Sequence, residues 1–155
     1  MKNFNIIIFA IQLAASILLF LGIQQFYVLA ELDLIELIHS MGKDNFAFLV
    51  RKSDEFGISE KLKHLHTMKT ILSFVGIVFA YILCSVINYK RNYDWKIATT
   101  IVAICFLVFQ FRLINLPINF ISTKNLVLSY FVPATFSILI SFGLYFLSYK
   151  IKVKN

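Results

Sequence analysis

The chain has 155 residues, of which 59% are hydrophobic and 15% charged, with a formal net charge of +7 and a mean hydropathy of +0.80. A soluble domain is about 45–50% apolar and about 25% charged, so the composition argues against a water-soluble globule. The only cysteines, Cys84 and Cys105, lie inside apolar runs, which argues against a disulfide scaffold and points to small buried hydrophobes.

The apolar excess is concentrated in four uncharged runs, Asn3 to Ala30, Thr70 to Tyr89, Ile97 to Phe111 and Asn125 to Tyr149. A helix needs roughly 20 apolar residues to cross a bilayer core. The expectation is an all-α polytopic membrane protein. Residues 1–155 form one membrane domain, a four-helix transmembrane bundle with spans near 5–29, 70–89, 97–116 and 126–149 and an extracytoplasmic amphipathic segment between the first two. The third run reaches span length only if it continues past Arg112 to about Leu116.

The first run begins after Lys2 and ends at Val28-Leu29-Ala30, a sequence permissive for signal peptidase. It is longer than the usual ~7–15-residue core of a signal peptide, so a retained span is expected. Ala10 and Ala14 offer it a small-residue face, and Gln24 and Gln25 mark its end.

Residues 31–69 follow. In "ELDLIELIHSM" one helical stripe carries Leu34, Leu37, Ile38 and Met41 and another carries Asp33, Glu36 and Ser40. Gly42 is a fitting stop, and Ser59 a fitting N-cap for "EKLKHLHTMK", which leads straight into the second span. So short a segment buries little core by itself, so an amphipathic lid on the bundle is expected. His64 and His66, two apart, do not share a helix face. With His39 they have no carboxylate or cysteine at ligand spacing, so no metal site is expected.

The second span carries Ser73, Gly76 and Ala80, with Cys84 one turn further. Small residues on one face let helix backbones approach closely in lipid. This face suits packing within the bundle or a homo-oligomer interface. In the fourth span Ala134, Ser137 and Ser141 play the same part, and Pro133 is expected to kink the helix.

The third span ends in "FLVFQFRLINLP", residues 106–117. If the span reaches Leu116, Arg112 lies about 6 Å inside its boundary, within reach of snorkelling to the surface. The alternative is an ion pair, because an unpaired charge in lipid is costly. Glu31 is then the first candidate and Asp33 the second. With Gln110, Gln24 and Gln25 these residues make an expected outer polar cluster around Arg112.

Lysine and arginine number seven on each side of the four spans. One set, Lys2, Lys90, Arg91, Lys96, Lys150, Lys152 and Lys154, is packed into short segments beside helix ends, offset only by Asp94. The other, Lys43, Arg51, Lys52, Lys61, Lys63, Lys69 and Lys124, is spread over a long loop and a short one and offset by seven acids, Glu31, Asp33, Glu36, Asp44, Asp54, Glu55 and Glu60. Positive density marks the cytoplasmic side, so both termini are expected in the cytoplasm of a bacterial inner membrane. Tyr89, Tyr93, Trp95, Tyr145 and Tyr149 are expected at the inner interface, and Phe26, Tyr27 and Tyr130 at the outer one.

No HExxH, GxSxG or Walker A motif occurs, and no acid falls in mid-membrane. The expectation is a non-catalytic protein without cofactor or metal. The lipid bilayer surrounds it, its partner is a protein or further copies of itself, and nucleic acid is not expected. The layout of four spans, inner termini, a longer first outer loop and a short basic inner loop ("NYKRNYDWK") resembles the immunity proteins against A-type pore-forming colicins. It also resembles the four-helix membrane component of the Kiwa phage-defence pair. This topological resemblance implies recognition within the membrane, of the toxin-immunity or defence kind, and transfers no functional residue. An oligomeric channel or membrane effector is the alternative reading, and an accessory subunit of a larger membrane complex a third.

The orientation has a direct test. A cysteine placed at Ser53 should react with an impermeant maleimide added to whole cells, and one at Asn155 should not. The opposite pattern overturns the inferred sidedness.

Overall fold

The computed structural model describes residues 5–41, 48, 50–114 and 126–151. Gly42, the segment beyond Ile114 that was to complete the third span, and the charges at Lys2, Lys43, Lys124, Lys152 and Lys154 lie outside the described residues. Helix α1 spans Ile6–Gln24 and tightens into a 3-10 segment, Gln25–Ala30. Helix α2 spans Leu32–Met41, α3 Ser59–Arg91, α4 Lys96–Phe111 and α5 Leu126–Lys150. Three segments, Ile6–Ala30, Ser59–Arg91 and Val127–Lys150, are long and apolar enough to cross a membrane, and Lys96–Phe111 is a shorter apolar helix.

Local chemistry sets the helix ends. Asn5 caps α1, its Oδ1 accepting from Ile7 N at 2.9 Å and Ile8 N at 3.2 Å, which satisfies two otherwise orphaned donors. Helix α3 runs without interruption from the polar "EKLKHLHTMK" into the apolar run, as its sequence implied. At about 1.5 Å per residue it is about 50 Å long, longer than the ~30 Å apolar layer, so its N-terminal turns project beyond it. Ile58, not Ser59, holds its N-cap position, and no side chain caps it. Ile58 is buried against the loop-side cluster described below, and that burial replaces a polar cap. Asn92 ends α3 at φ 54° with a Schellman closure, Tyr93 N donating to Asn88 O at 2.9 Å.

Helix α4 ends at Phe111, so the expected continuation through Arg112 towards Leu116 does not form. Arg112 takes the left-handed conformation, φ 49°. Its N–H donates to Phe109 O at 3.3 Å, and Leu113 N donates to Val108 O at 3.2 Å. This is again a Schellman closure, built on arginine where glycine is the unstrained choice. Sixteen residues make about 24 Å of helix.

Helix α1 occupies the centre and packs against α5 and α3, while α4 leans mainly on α3. Between two hydrocarbon-like surfaces burial gives no drive, so close packing and interhelical hydrogen bonds hold helices together. Gly76 of α3 lies on α1: a Cβ added there would fall 2.6 Å from the Cα of Phe20. Gly22 of α1 lies equally close to α5, where an added Cβ would meet Ile138 Cγ1 at 2.8 Å. Ser73 and Ala80 are buried with Gly76, so Ser73, Gly76 and Ala80 form an intramolecular face towards α1. Ala134, Ser137 and Ser141 are buried on α5. Ala10 and Ala14 are exposed, contrary to the expected face. The buried side of α1 carries Ile8, Gln12, Ala15, Ser16 and Leu19, because Gln12 and Ser16 need polar partners while alanine tolerates either environment.

Those partners form a polar chain through the apolar core. Gln12 Nε2 donates to Asn88 Oδ1 at 2.9 Å. Ser16 Oγ donates to Gln12 O at 2.7 Å and lies 2.8 Å from Tyr145 Oη. Ser141 Oγ donates across the α1–α5 interface to Ala15 O at 2.7 Å. Tyr145 is only 3% exposed and Tyr93 is also buried, its Oη donating to Ile151 O at 2.9 Å. The Tyr145 ring therefore faces inward rather than lying at the expected interface, Tyr93 is buried at the hairpin end, and Tyr89 and Trp95 stay exposed.

At the opposite end α2 lies on a satellite cluster of Val28, Leu34, Ile35, Ile58 and Leu65. Its buried stripe is Leu34 and Ile35 with Ile38 alongside, and Leu37 is exposed. Packing of this lid narrows the apolar stripe to the side that meets the 3-10 segment and α5. The side chain of Met41 lies outside the description.

Gly76→Leu should lower the melting temperature in detergent, an overpacking loss of about 1–3 kcal/mol. A variant as stable as the parent would show that α1 and α3 do not meet at this glycine.

Candidate functional site

Three helices repeat one pattern at the α2 end of the bundle. On each, a polar residue sits one turn from a phenylalanine on the same face: Gln24 beside Phe20 on α1, Thr70 beside Phe74 on α3, and Gln110 beside Phe106 on α4. Four-residue spacing places each pair one above the other. The chain directions align the pairs, because α1 and α4 end at this level while α3 enters through it.

Together they line a cleft of about 380 Å³, within the ~300–1,000 Å³ range of small-molecule sites. Its floor is aromatic. Phe74 lies 6.2 Å from Phe106 and 5.7 Å, edge to face, from Phe109, centroid to centroid. Its mouth is polar and basic, with His66, Lys69 and Arg112 beside the glutamines. No Asp or Glu lies among its described lining residues.

Each mouth residue has a local cause. Lys69 follows from the projection of α3 past the apolar layer. Its Nζ sits 5.5 Å over the Tyr27 ring, a cation–π contact that holds the ammonium beside the 3-10 segment. Arg112 follows from the left-handed end of α4, which turns the chain out of the helix. The Lys69 ammonium and the Arg112 guanidinium line the same cleft. Thr70 Oγ1 donates to His66 O at 2.9 Å, so its proton is committed and it faces the cleft as an acceptor. Gln24 is 7% exposed and reaches the cleft from within the bundle.

The expected outer cluster is thus divided. Arg112, Gln110 and Gln24 meet in the cleft, whereas Glu31, Asp33 and Gln25 lie outside its lining. Glu31 Oε1 lies 2.9 Å from His64 Nδ1, and among the described residues no ion pair involves Arg112. The expected Glu31–Arg112 pair therefore gives way to Glu31–His64, which ties the start of α2 to α3. Arg112 stands outside the helix and exposed, and needs no buried carboxylate. Asp33 is exposed in the first turn of α2, a favourable place for an acid. Gln25 turns towards α5 and lines a small crevice with Phe26 and Tyr130.

Lys69, His66 and the phenylalanine floor escaped the reading of the sequence, although a signal for them was present. A Phe–polar pair recurs at helical spacing in three runs, always towards the same side of the membrane. The Gln12–Asn88 contact also had a signal, since Gln12 is the one amide in the middle of the first run and Asn88 the one amide in the second.

No family model, curated protein or solved structure matches the chain. The three apolar helices define the class of the protein, a helical bundle suited to a membrane.

The left-handed residue at the mouth makes a prediction. The conformation costs a non-glycine residue roughly 1–2 kcal/mol. Arg112→Gly should raise the melting temperature in neutral detergent, and Arg112→Val, with its branched Cβ, should lower it. The reverse order would mean that the arginine side chain anchors the fold.

Proposed function

We propose that the chain is a non-catalytic recognition protein of a bacterial inner membrane, of the toxin-immunity or phage-defence kind. It crosses four times, with both termini in the cytoplasm and the α2 end outside. The observation that carries this reading is the amphipathic cleft lined by α1, α3 and α4 at the α2 end of the bundle. Much of the remaining helix surface is Phe-, Leu- and Ile-rich and exposed, as at Phe79, Phe136, Leu139 and Phe146, which suits contact with lipid chains. The cleft combines an aromatic floor with cationic side chains near the ends of α1 and α4. A second membrane-embedded segment can be recognised there by polar contacts that acyl chains do not offer. Four crossings are supported by the path of α4. It returns from the Asn92–Trp95 turn alongside α3 as far as Phe74. The next helix, α5, starts beside Phe26, whose ring lies 5.2 Å from that of Phe131.

The test is protection. Cells expressing the chain should survive a pore-forming colicin of the A type, or a phage, that kills the parent strain. Lys69→Gln with Arg112→Gln should weaken that protection while the protein stays in the membrane fraction. Absence of protection across a broad panel of colicins and phages would overturn the reading. Protection unchanged in the double variant would remove the cleft from it.

A further inference from the structure

The cleft is built for an elongated ligand with two chemistries at its two ends. One turn separates the polar rung, Gln24 and Gln110, from the aromatic rung, Phe20, Phe74 and Phe106, a distance of about 6 Å along the helix axes. Two cations, Lys69 and Arg112, line the cleft beside the polar rung, with no acid in the described lining to neutralise them. Two like charges brought together at the edge of a low-dielectric layer are stabilised by an anion between them. Arginine presents a planar fork that matches phosphate oxygens, and lysine supplies a point charge. The arginine is also held at a left-handed backbone position, φ 49°, that costs stability. Strain of this sort concentrates at ligand sites.

We infer that this cleft binds the phosphate headgroup of an anionic membrane lipid, with Lys69 and Arg112 on the phosphate and the upper acyl chain against Phe74, Phe106 and Phe109. This goes beyond the recognition of a protein partner and does not depend on it. The glutamine amides supply neutral donors beside the phosphate. His66 flanks it on the outer side. The acyl chain continues the direction of the helices into the surrounding bilayer.

Purified full-length protein in a neutral detergent provides the test, with lipid retention read by native mass spectrometry and stabilisation by thermal melt. Phosphatidylglycerol should be retained and should raise the melting temperature, while phosphatidylcholine should do neither. Lys69→Gln with Arg112→Gly should weaken the effect of phosphatidylglycerol by roughly ten- to a hundredfold in the concentration required, the loss of one or two charge-assisted hydrogen bonds. Lys90→Gln with Lys96→Gln, at the opposite end, should leave it unchanged. Inorganic phosphate and glycerol phosphate, which lack an acyl chain, should not compete. Equal retention in the Lys69/Arg112 variant would overturn the site, and equal retention of phosphatidylcholine would overturn its preference for an anion. Displacement by inorganic phosphate would replace the lipid by a free anion and overturn the assignment. Because parent protein alone decides the lipid and phosphate arms, the proposal stays testable if the double variant fails to fold. Loss of lipid binding with protection intact, or the reverse, separates this inference from the recognition reading.

Discussion

Polar atoms on the central helix must be satisfied by its neighbours, and the rest of the bundle is arranged around that need. Gln12 and Ser16 lie on α1, away from any aqueous surface, at 0% exposure. An unsatisfied polar group in an apolar interior costs several kcal/mol, so α1 can face neither lipid nor a purely apolar neighbour along this stripe. Asn88 meets it from α3, and Tyr145 from α5. Among the described residues Gln12 Oε1 and Asn88 Nδ2 remain unpaired. Whichever way the two amides are turned, one acceptor and one donor are left over. The contact therefore adds little net stability, and its value lies in specifying which helices meet and in which rotation.

Close backbone approach follows from the same stripe. Hydrogen bonds between short side chains and backbone, such as Ser141 to Ala15 O, require helices nearly in contact. Gly22 and Gly76 leave that space on the two sides of α1. The polar rungs and the small residues are thus one device: the glycines admit the neighbours, and the polar atoms fix their rotation. At the two ends the chain uses different means. The hairpin end is tied by Arg91 Nε donating to Tyr149 O and by Tyr93 to Ile151 O. The α2 end is tied by the satellite apolar cluster and the Glu31–His64 pair, and it is there that the helices splay enough to leave a cleft.

Much of the architecture was legible before folding. Long uncharged runs announced the long helices, and Ser73, Gly76 and Ala80 announced a close interface, because these are one-dimensional patterns. The readings that failed all concerned direction or termination. Ala10 and Ala14 were small but faced outward, since the polar neighbours on α1 outrank small size in choosing the buried side. Tyr145 resembled an interfacial anchor, yet its hydroxyl found Ser16 inside. The span predicted through Arg112 stopped at Phe111, because a Schellman closure can form on a residue that sequence statistics do not favour there.

The sequence by itself determined that the chain is all-helical and membrane-like, which segments are long and apolar, and that polar residues gather towards one end. Those properties depend on local composition and on a period of 3.6, and both are read along the chain. Only the tertiary structure decided which of the gathered residues share a site. Glu31 and Arg112 carry opposite charges and were expected at one depth, yet the fold gives Glu31 to His64 and places Arg112 with Lys69 in the lining of an aromatic cleft. Depth in a bilayer is a one-dimensional coordinate set by residue spacing. The angle at which each helix turns about its own axis is set by packing against its neighbours, and that angle decides which side chains meet.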